Sequence, residues 1–358
     1  MKITIPLKTL STREIQKTFI IAGPCSVESE EQIMQTAAGL ADKGIQVLRG
    51  GIWKPRTRPG SFEGMGIEAL QWLKDAGNEY NLPVAVEVAT PEHVEQCMKH
   101  GIDIIWIGAR TTTNPFSVQI LADSLKGVDI PILIKNPISP DIELWLGAFE
   151  RVYNAGIKTL VAVHRGFTSH RKTAYRNVPN WRVPIELKGR IKGIPLLCDP
   201  SHISGKTELL QSVAQEAMDL LFDGIMIEVH NNPKAALSDA KQQITPQAFG
   251  ELISSLKVKK PFSDDKEFYQ HLSDLRKEID RVDDKLIDLL AQRMHLSRQI
   301  GTVKRNLDVS NFQPGRWEEI VKSRTKAGVK KNLSAEFVLR IYQFIHEESI
   351  RQQEDMPD

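Results

Sequence analysis

The sequence predicts an α/β chain, a (β/α)8 TIM barrel followed by a smaller all-α unit of three helices that dimerises. Three observations carry that expectation. Eight short apolar runs alternate with amphipathic stretches between Phe19 and Val229, as in a parallel sheet with helical crossovers. Each run has a charged or metal-seeking residue at its end or just beyond it. After residue 257 the short alternation gives way to one long stretch with apolar residues three and four apart.

The apolar runs are Phe19–Ala22, Ile45–Leu48, Val84–Val86, Ile104–Ile107, Ile132–Ile134, Thr159–Val163, Pro195–Cys198 and Ile225–Val229. Between them Glu30–Lys43, Pro91–His100, Pro140–Asn154 and Thr207–Leu220 read as amphipathic helices. Eight strands favour closure, which removes the sheet edges, over an open doubly wound sheet. No GxGxxG follows the first run, which weighs against dinucleotide binding. In a closed barrel all strand C-termini open on one face, and active sites sit there. Cys25, Arg49, Glu87, Arg110, Lys135, Arg165, Asp199 with His202, and Glu228 are therefore expected at one mouth.

The charged stretch KVKKPFSDDK (Lys257–Lys266) reads as a linker. The expected domains are 1–256 for the barrel, 257–267 for the linker and 268–358 for the helical unit. Phe262 to Ile300 contains no Gly or Pro, and Leu272, Leu275, Ile279, Val282, Leu286, Leu289, Leu296, Ile300 and Val303 recur at three-four spacing. That is a long helix with a narrow apolar seam. From Phe268 to Arg305 it would be about 57 Å long, too long to bury its seam in its own small domain. A second copy of the chain is the simplest partner. Helices near Arg316–Ala327 and Ser334–Gln353 follow, with Ser334 as N-cap and Gly328 as a stop.

Composition sets bounds on this reading. The 358 residues suffice for one large and one smaller domain; 41% hydrophobic and 26% charged residues are those of an ordinary globular protein. A net charge of +2 gives no sign of nucleic-acid binding. Three cysteines without paired spacing point to a reducing compartment, and no apolar run is long enough for a signal peptide or a membrane span. The expectation is a cytoplasmic protein.

Cys25 lies in GPCSVE, His202 in DPSH, Glu228 in MIEVH and Asp239 in ALSDA. A thiolate, an imidazole and two carboxylates suit a divalent first-row metal. Taken singly, a Cys is more often packing and a His more often structural; their convergence on one barrel end makes them a set. Arg49, Lys54, Arg56, Arg110, Lys135 and Arg165 fall at or just after strand ends, and enclosed cations call for anions. Two phosphates and a carboxylate would satisfy them. In KPRTRPGSFEG, Pro55 stiffens the loop, and Gly60 and Gly64 permit close backbone approach.

GPCSVE, LRGGIWKPRT, EVAT, IGAR, the Lys135 strand end, DPSHISG, GIMIEVHNNP and ALSD occur in order on successive strands. Together they resemble 3-deoxy-D-arabino-heptulosonate 7-phosphate (DAHP) synthase, in its short microbial type I form, over about residues 15–256. The resemblance implies condensation of phosphoenolpyruvate with erythrose 4-phosphate, the first step of the shikimate pathway. It implies one divalent ion per barrel (Mn, Fe, Co or Zn) held by Cys25, His202, Glu228 and Asp239. Lys54, Pro55, Arg56 and Thr57 would meet erythrose 4-phosphate. Arg49, Lys135, Arg110, Arg165 and the Gly108–Ala109 backbone would hold phosphoenolpyruvate, with Lys135 as proton donor and Glu87 guiding the water. The chain departs from the commoner pattern at His164-Arg165-Gly166, where relatives often read ERG, and at Lys135-Asn136-Pro137, where they often read KRG. A sister family making 3-deoxy-octulosonate 8-phosphate resembles it less, because the KPRT loop is the DAHP-synthase version. An inactive barrel kept as a sensor or scaffold is the alternative of a different class.

In the long helix the seam lands on Arg293, a cation that must snorkel or meet an anion. Lys304 lies about three turns further on the same face. Arg276 is about 26 Å from Arg293 along the axis, so it reaches such a site only across an antiparallel dimer. Leu275-Arg276, the pattern from Ile279 to Arg293, Lys304, Arg316 and the ending SIRQQ resemble the all-helical chorismate mutase over about residues 268–353. That implies the Claisen rearrangement of chorismate to prephenate, without metal or cofactor. The partner subunit's Arg276, with Arg293, Lys304 and Arg316, would hold the two carboxylates and the ether oxygen. Ser349 and Gln353 would finish the pocket, Lys304 and Gln353 donating to the ether oxygen. Relatives often carry Asp at Gln313 and Glu at Trp317. The alternative is a helical dimeriser that binds a regulator. The partners expected are the two pairs of small molecules and a second copy of the chain, with a tetramer if the barrels also pair. The residues ahead of the first run are too few for a regulatory domain, so the mutase unit is expected to sense prephenate or chorismate and inhibit the barrel.

Overall fold

The computed structural model describes residues 7, 10–11, 13–15, 18–54, 60, 62–170, 172–259 and 265–354. The chain divides into two compact units, Met1–Pro261 and Phe262–Asp358. The first is a closed barrel of eight parallel strands in sequence order. They are β1 (Phe19–Gly23), β2 (Val47–Arg49), β3 (Val84–Val88), β4 (Ile104–Ile107), β5 (Ile132–Lys135), β6 (Leu160–His164), β7 (Leu196–Cys198) and β8 (Gly224–Glu228). The barrel closes where β1 pairs with β8, from Phe19 opposite Gly224 to Gly23 opposite Glu228.

Each predicted run becomes a strand, with small shifts at the ends. β2 starts two residues later than its apolar run. There the side chain of Gln46 takes the place of a ladder partner, its Oε1 accepting from Ile20 N–H at 2.7 Å. Around the barrel lie α1 (Glu30–Leu40), α2 (Ile67–Glu79), α3 (Pro91–Lys99), the short α4 (Ala109–Thr112), α5 (Pro115–Ser124), α6 (Ile142–Asn154), α7 (Arg182–Arg190), the short α8 (Pro200–Ser204), α9 (Leu210–Asp219) and α10 (Pro246–Ser255). Several of them are capped at the N-terminus by a side chain: Ser29, Thr90, Asn114, Asp141 and Thr245 each accept from the first turn.

Strand alternation decides which side chains reach the mouth. Phe19, Ile21, Val47, Ala85, Trp106, Leu133, Val161, Val163, Leu197 and Met226 fill the barrel interior, and Leu10 joins them. Ile20, Ala22, Leu48, Val84, Val86, Ile105, Ile134 and Cys198 face the helices instead. Counting two residues on from Val47, Ala85, Leu133 and Met226 gives Arg49, Glu87, Lys135 and Glu228, so these four belong to the inward register. His164 has the opposite parity and lies outside the barrel wall.

The second unit consists of α11 (Lys266–Arg305), α12 (Pro314–Val329) and α13 (Ala335–Glu354), with α13 packed on both others. Lys266 and Glu267, expected in the linker, form the first helical turn. The Asp265 carboxylate accepts from Glu267 and Phe268 N–H and caps the helix there. Ser334 Oγ accepts from Phe337 N–H at 3.2 Å, as an N-cap should. Gly328 does not stop α12. It lies in the last turn, where a Cβ would stand 2.4 Å from Val338 Cγ2, and Asn332 (φ 60°) supplies the left-handed residue. Along α11 the seam residues Leu275, Ile279, Val282, Leu286, Leu289, Leu296, Ile300 and Val303 all stay exposed. No helix of the described residues is long and apolar enough to cross a membrane.

Candidate active sites

Arg49 and Glu228 meet inside the mouth at 3.3 Å, with 1% and 0% of their side chains exposed. Trp106 forms the floor beneath two cations, its ring 4.9 Å from the Arg49 guanidinium and 5.7 Å from Lys135 Nζ. Trp106 Nε1–H also donates to Glu87 Oε2 at 2.9 Å. Asp199, buried at the N-cap of α8, joins two further groups. Its Oδ2 stands 2.8 Å from Lys135 Nζ and 2.8 Å from His202 Nδ1. Burial opposes ionisation of Asp199, but His202 and Lys135 outweigh it and hold the carboxyl well below the usual range.

Cys25, Glu228 and Asp239 bring ligand atoms within 4.8 Å of one another. Cys25 Sγ is 3.6 Å from Asp239 Oδ2, and His202 Nε2 is 3.8 Å from Glu228 Oε1. Three of the four expected ligands thus form a group that could hold a divalent ion, and His202 stands beside Glu228 without belonging to it. Their donors mix soft and hard character, Glu228 Oε1 is buried without a hydrogen bond, and Asp199 Oδ2 lies 2.8 Å from the other nitrogen of His202. Burial, then Glu228, pushes the Cys25 thiol up to about 12, while Lys54 Nζ at 3.1 Å pulls the other way. Burial also resists the charge on Asp239, but Arg176, His202 and Lys54 bring it down to about 2.

The remaining predicted residues fall as follows. Pro55, Arg56 and Thr57 lie outside the described residues. Gly108 and Ala109 are buried at the end of β4, and a Cβ on Gly108 would stand 2.1 Å from Glu87 Oε1. Arg110 is exposed rather than enclosed, because the chain turns into α4 directly after β4. Arg165 is anchored by its backbone N–H, which donates to Asn136 Oδ1 at 2.7 Å. Asn136 Nδ2 donates onward to the Gly166 carbonyl at 2.9 Å, so the Asn of this chain ties the ends of β5 and β6 together. Burial, with Arg176 and Arg110 nearby and Asp199 opposing, lowers Arg165 to about 10. His164 is buried beneath the helices, its ring 5.3 Å from Trp181 and 5.4 Å from Phe167. Burial drives it down to about 3.

Sequence reasoning missed three participants. Arg176 NH1 lies 3.0 Å from Asp239 Oδ1 and donates to Gln242 Oε1 at 2.6 Å. Gln242 Nε2 donates to Glu228 Oε2 at 2.6 Å. Trp106 was hidden in a run that reads only as core. The position of Gln242, three residues after Asp239, was the one available signal for that residue.

In the helical unit, Arg293, Lys304, Arg316, Ser349 and Gln353 line one cavity of about 370 Å3. Arg293 NH1 donates to Ser349 Oγ, and Lys304 Nζ to the Asn311 carbonyl at 2.6 Å. Arg316 pairs with Glu319 at 2.5 Å. A Cβ on Gly301 would stand 3.0 Å from Gln353 Cγ, so this glycine lets α13 approach α11. Trp317, unexpected at its position, stacks on His346 with ring centroids 4.4 Å apart. Burial, then Arg293, lowers the His346 pKa. Arg276 is exposed on α11 and is not among the residues lining the cavity.

The family model described as DAHP synthetase I family matches residues 7–261, and that described as chorismate mutase type II matches residues 275–354. The chain is 37% identical over 238 residues to a phospho-2-dehydro-3-deoxyheptonate aldolase of Thermotoga maritima, covering 66% of this chain and 68% of that one. It is 25% identical over 266 residues to a 2-dehydro-3-deoxyphosphooctonate aldolase of Vesicomyosocius okutanii, covering 66% and 89%. The crystal structure of the Thermotoga maritima DAHP synthase superposes with a TM-score of 0.60 at 34% identity, covering 66% of this chain and 67% of that one.

Proposed function

The chain belongs to the DAHP synthetase I family, with a chorismate mutase type II unit after the barrel, and from that premise we propose how its own residues serve the two reactions. The barrel condenses phosphoenolpyruvate with erythrose 4-phosphate, and the helical unit rearranges chorismate to prephenate. The observation that carries the residue assignment is the clustering of Cys25, Glu228 and Asp239, with His202 beside Glu228 and Arg49, Lys135 and Asp199 adjoining them.

Cys25, His202, Glu228 and Asp239 would hold a divalent ion, which when bound supplies a Lewis acid for the aldehyde oxygen of erythrose 4-phosphate. Arg49, Lys135 and Arg165, with the Gly108–Ala109 backbone and Arg110, bind phosphoenolpyruvate. Lys54 and the KPRT loop take the other phosphate. Their cations hold two mutually repelling dianions side by side, an arrangement that solution opposes. The enol carbon attacks the aldehyde, water adds at C2, and phosphate leaves with C–O cleavage. Glu87, fixed by Trp106, orients that water, and Lys135 delivers a proton from Nζ, which donates to Asp199 Oδ2 at 2.8 Å.

Arg293, Lys304 and Arg316 take the chorismate carboxylates, with Lys304 and Gln353 donating to the ether oxygen as its C–O bond breaks. A second chain covers the exposed α11 seam, and in an antiparallel pair the partner subunit's Arg276 completes the site. Prephenate bound there inhibits the barrel. Three free, buried cysteines suit a reducing, cytoplasmic setting.

The deciding experiment follows phosphoenolpyruvate loss with erythrose 4-phosphate on chelator-stripped protein, before and after adding Mn2+. Activity that vanishes and returns supports the four-ligand assignment. Consumption with arabinose 5-phosphate in its place would transfer the barrel to the sister reaction. For regulation, synthase rate is measured against prephenate; equal inhibition after cleavage of the linker would refute sensing by the helical unit.

A further inference from the structure

Two side chains cross-link the loop bearing Cys25 to the loop bearing Asp239, one from each side. Glu28 Oε1, three residues after Cys25, accepts from Leu237 N–H at 2.9 Å. Gln243 Oε1, four residues after Asp239, accepts from Cys25 N–H at 2.9 Å. The same amide donates through Nε2 to the Ser238 carbonyl at 2.8 Å. The other oxygen of Glu28 faces His230 Nε2 at 3.5 Å, two residues beyond Glu228. His230 is itself fixed, with Nδ1 accepting from Asn232 N–H at 2.9 Å. Three of the four ligand-bearing segments are thus tied together by groups that are not ligands.

The clamp acts on a segment of left-handed backbone. Asp239 has φ 47°, in the left-handed region that few residues other than glycine adopt. Such a conformation persists where its surroundings over-determine it. The Gln243–Ser238 bond holds the carbonyl immediately before Asp239, and the Glu28–Leu237 bond holds the amide one residue further back. Gln243 is only 2% exposed, so water offers no substitute for its two bonds.

We propose that Gln243 and Glu28 are positioning residues that set the spacing of the Cys25 sulfur and the Asp239 carboxylate, and through it the affinity of the barrel for a divalent ion. The proposal rests on the reading of Cys25, His202, Glu228 and Asp239 as ligands. Neither residue touches a reacting atom. Both act by presenting the donors already spaced, so that little ordering remains when the ion enters.

The test titrates metal-stripped, full-length protein with Co2+ and follows the near-ultraviolet thiolate-to-cobalt charge-transfer band. Gln243→Leu keeps the volume and removes both bonds; its Co2+ affinity falls about 10–100-fold, and the band weakens or moves. Glu28→Ala falls similarly. Glu28→Gln, whose amide oxygen still accepts from Leu237, retains most of the affinity, which a loss caused by general loosening would not explain. Gln243→Glu serves if the leucine variant fails to fold. It keeps the acceptor for Cys25 N–H, sets a carboxylate against the Ser238 carbonyl, and loses part of the affinity. Thermal unfolding of the metal-free proteins identifies folded variants. Wild-type affinity and an unchanged band in folded Glu28→Ala and in the folded Gln243 variant would overturn the proposal. A wild-type protein with no thiolate band would instead sink the ligand reading beneath it.

Discussion

The guanidinium of Arg49 lies 3.3 Å from Oε1 of Glu228, and both side chains are almost fully buried. A cation assigned to substrate and a carboxylate assigned to metal therefore neutralise each other across the mouth. Removing one member of a buried pair leaves the other charged and unsolvated, at a cost of about 3–5 kcal/mol. Arg49→Leu should lower the stability of metal-free protein by about that much. Added Mn2+ should recover part of it, because a cation again stands beside Glu228. Denaturant melts with and without the ion measure both numbers; equal losses in the two states would contradict the assignment.

Gly108→Ala should abolish condensation. The added methyl would stand 2.1 Å from Glu87 Oε1, so either Glu87 breaks from Trp106 or the end of β4 moves. The predicted loss is at least about 100-fold in kcat/KM for phosphoenolpyruvate, the effect of displacing catalytic groups by an ångström. Chorismate turnover in the same preparation should be unaffected.

Acid should destabilise the barrel through His164. Its pKa falls from 6.5 to about 3 on folding, chiefly by burial, so between those values the unfolded chain binds a proton that the folded chain refuses. The stability is fully present above the unfolded value and declines as pH drops, by up to about 1.4 kcal/mol per pH unit. His164→Phe, which keeps the aromatic cluster filled, should have a flatter profile of unfolding free energy against pH. An unchanged slope would mean that other groups carry the acid sensitivity.

Lys304→Ala should cut kcat/KM for chorismate by about 100–1000-fold, the loss expected when one donor to a developing negative charge is removed. Condensation, assayed without prephenate, should keep its rate. A loss confined to KM would assign Lys304 to ground-state binding alone.

Leu286→Glu places a charge in the middle of the exposed α11 seam. Sedimentation should then detect monomers at concentrations where the parent chain associates. Mutase activity should fall with dimer content if the partner's Arg276 completes the site. A monomeric variant with full activity would show that each chain suffices.

The strands were legible because a barrel strand buried on both faces leaves an unbroken apolar run, and only its last residue can be polar. That rule picks out Arg49, Lys135 and Glu228 directly, while Glu87 lies one residue before the end of β3. It does not cover Arg110, which follows β4 in a short helix and is exposed. It fails for Trp106, whose indole N–H serves Glu87 from inside a run that reads as core. Gln242, Gln243 and Glu28 carry no periodicity; they lie in loops whose geometry sequence does not state. The helical unit was legible in outline from its three-four spacing. The Trp317–His346 stack, built from residues 29 apart on different helices, was not.

The ladder joining β1 to β8 pairs Gly23 with Glu228, residues separated by most of the barrel's length. Such a contact carries a large loop-closure entropy and belongs among the late events of folding. Cys25 lies just past one side of that closure and Glu228 on the other. Any ligand that grips both binds only rings that have already shut. A ligand with that grip is a latch on the closed ring, and it stabilises the folded barrel by mass action in proportion to its occupancy.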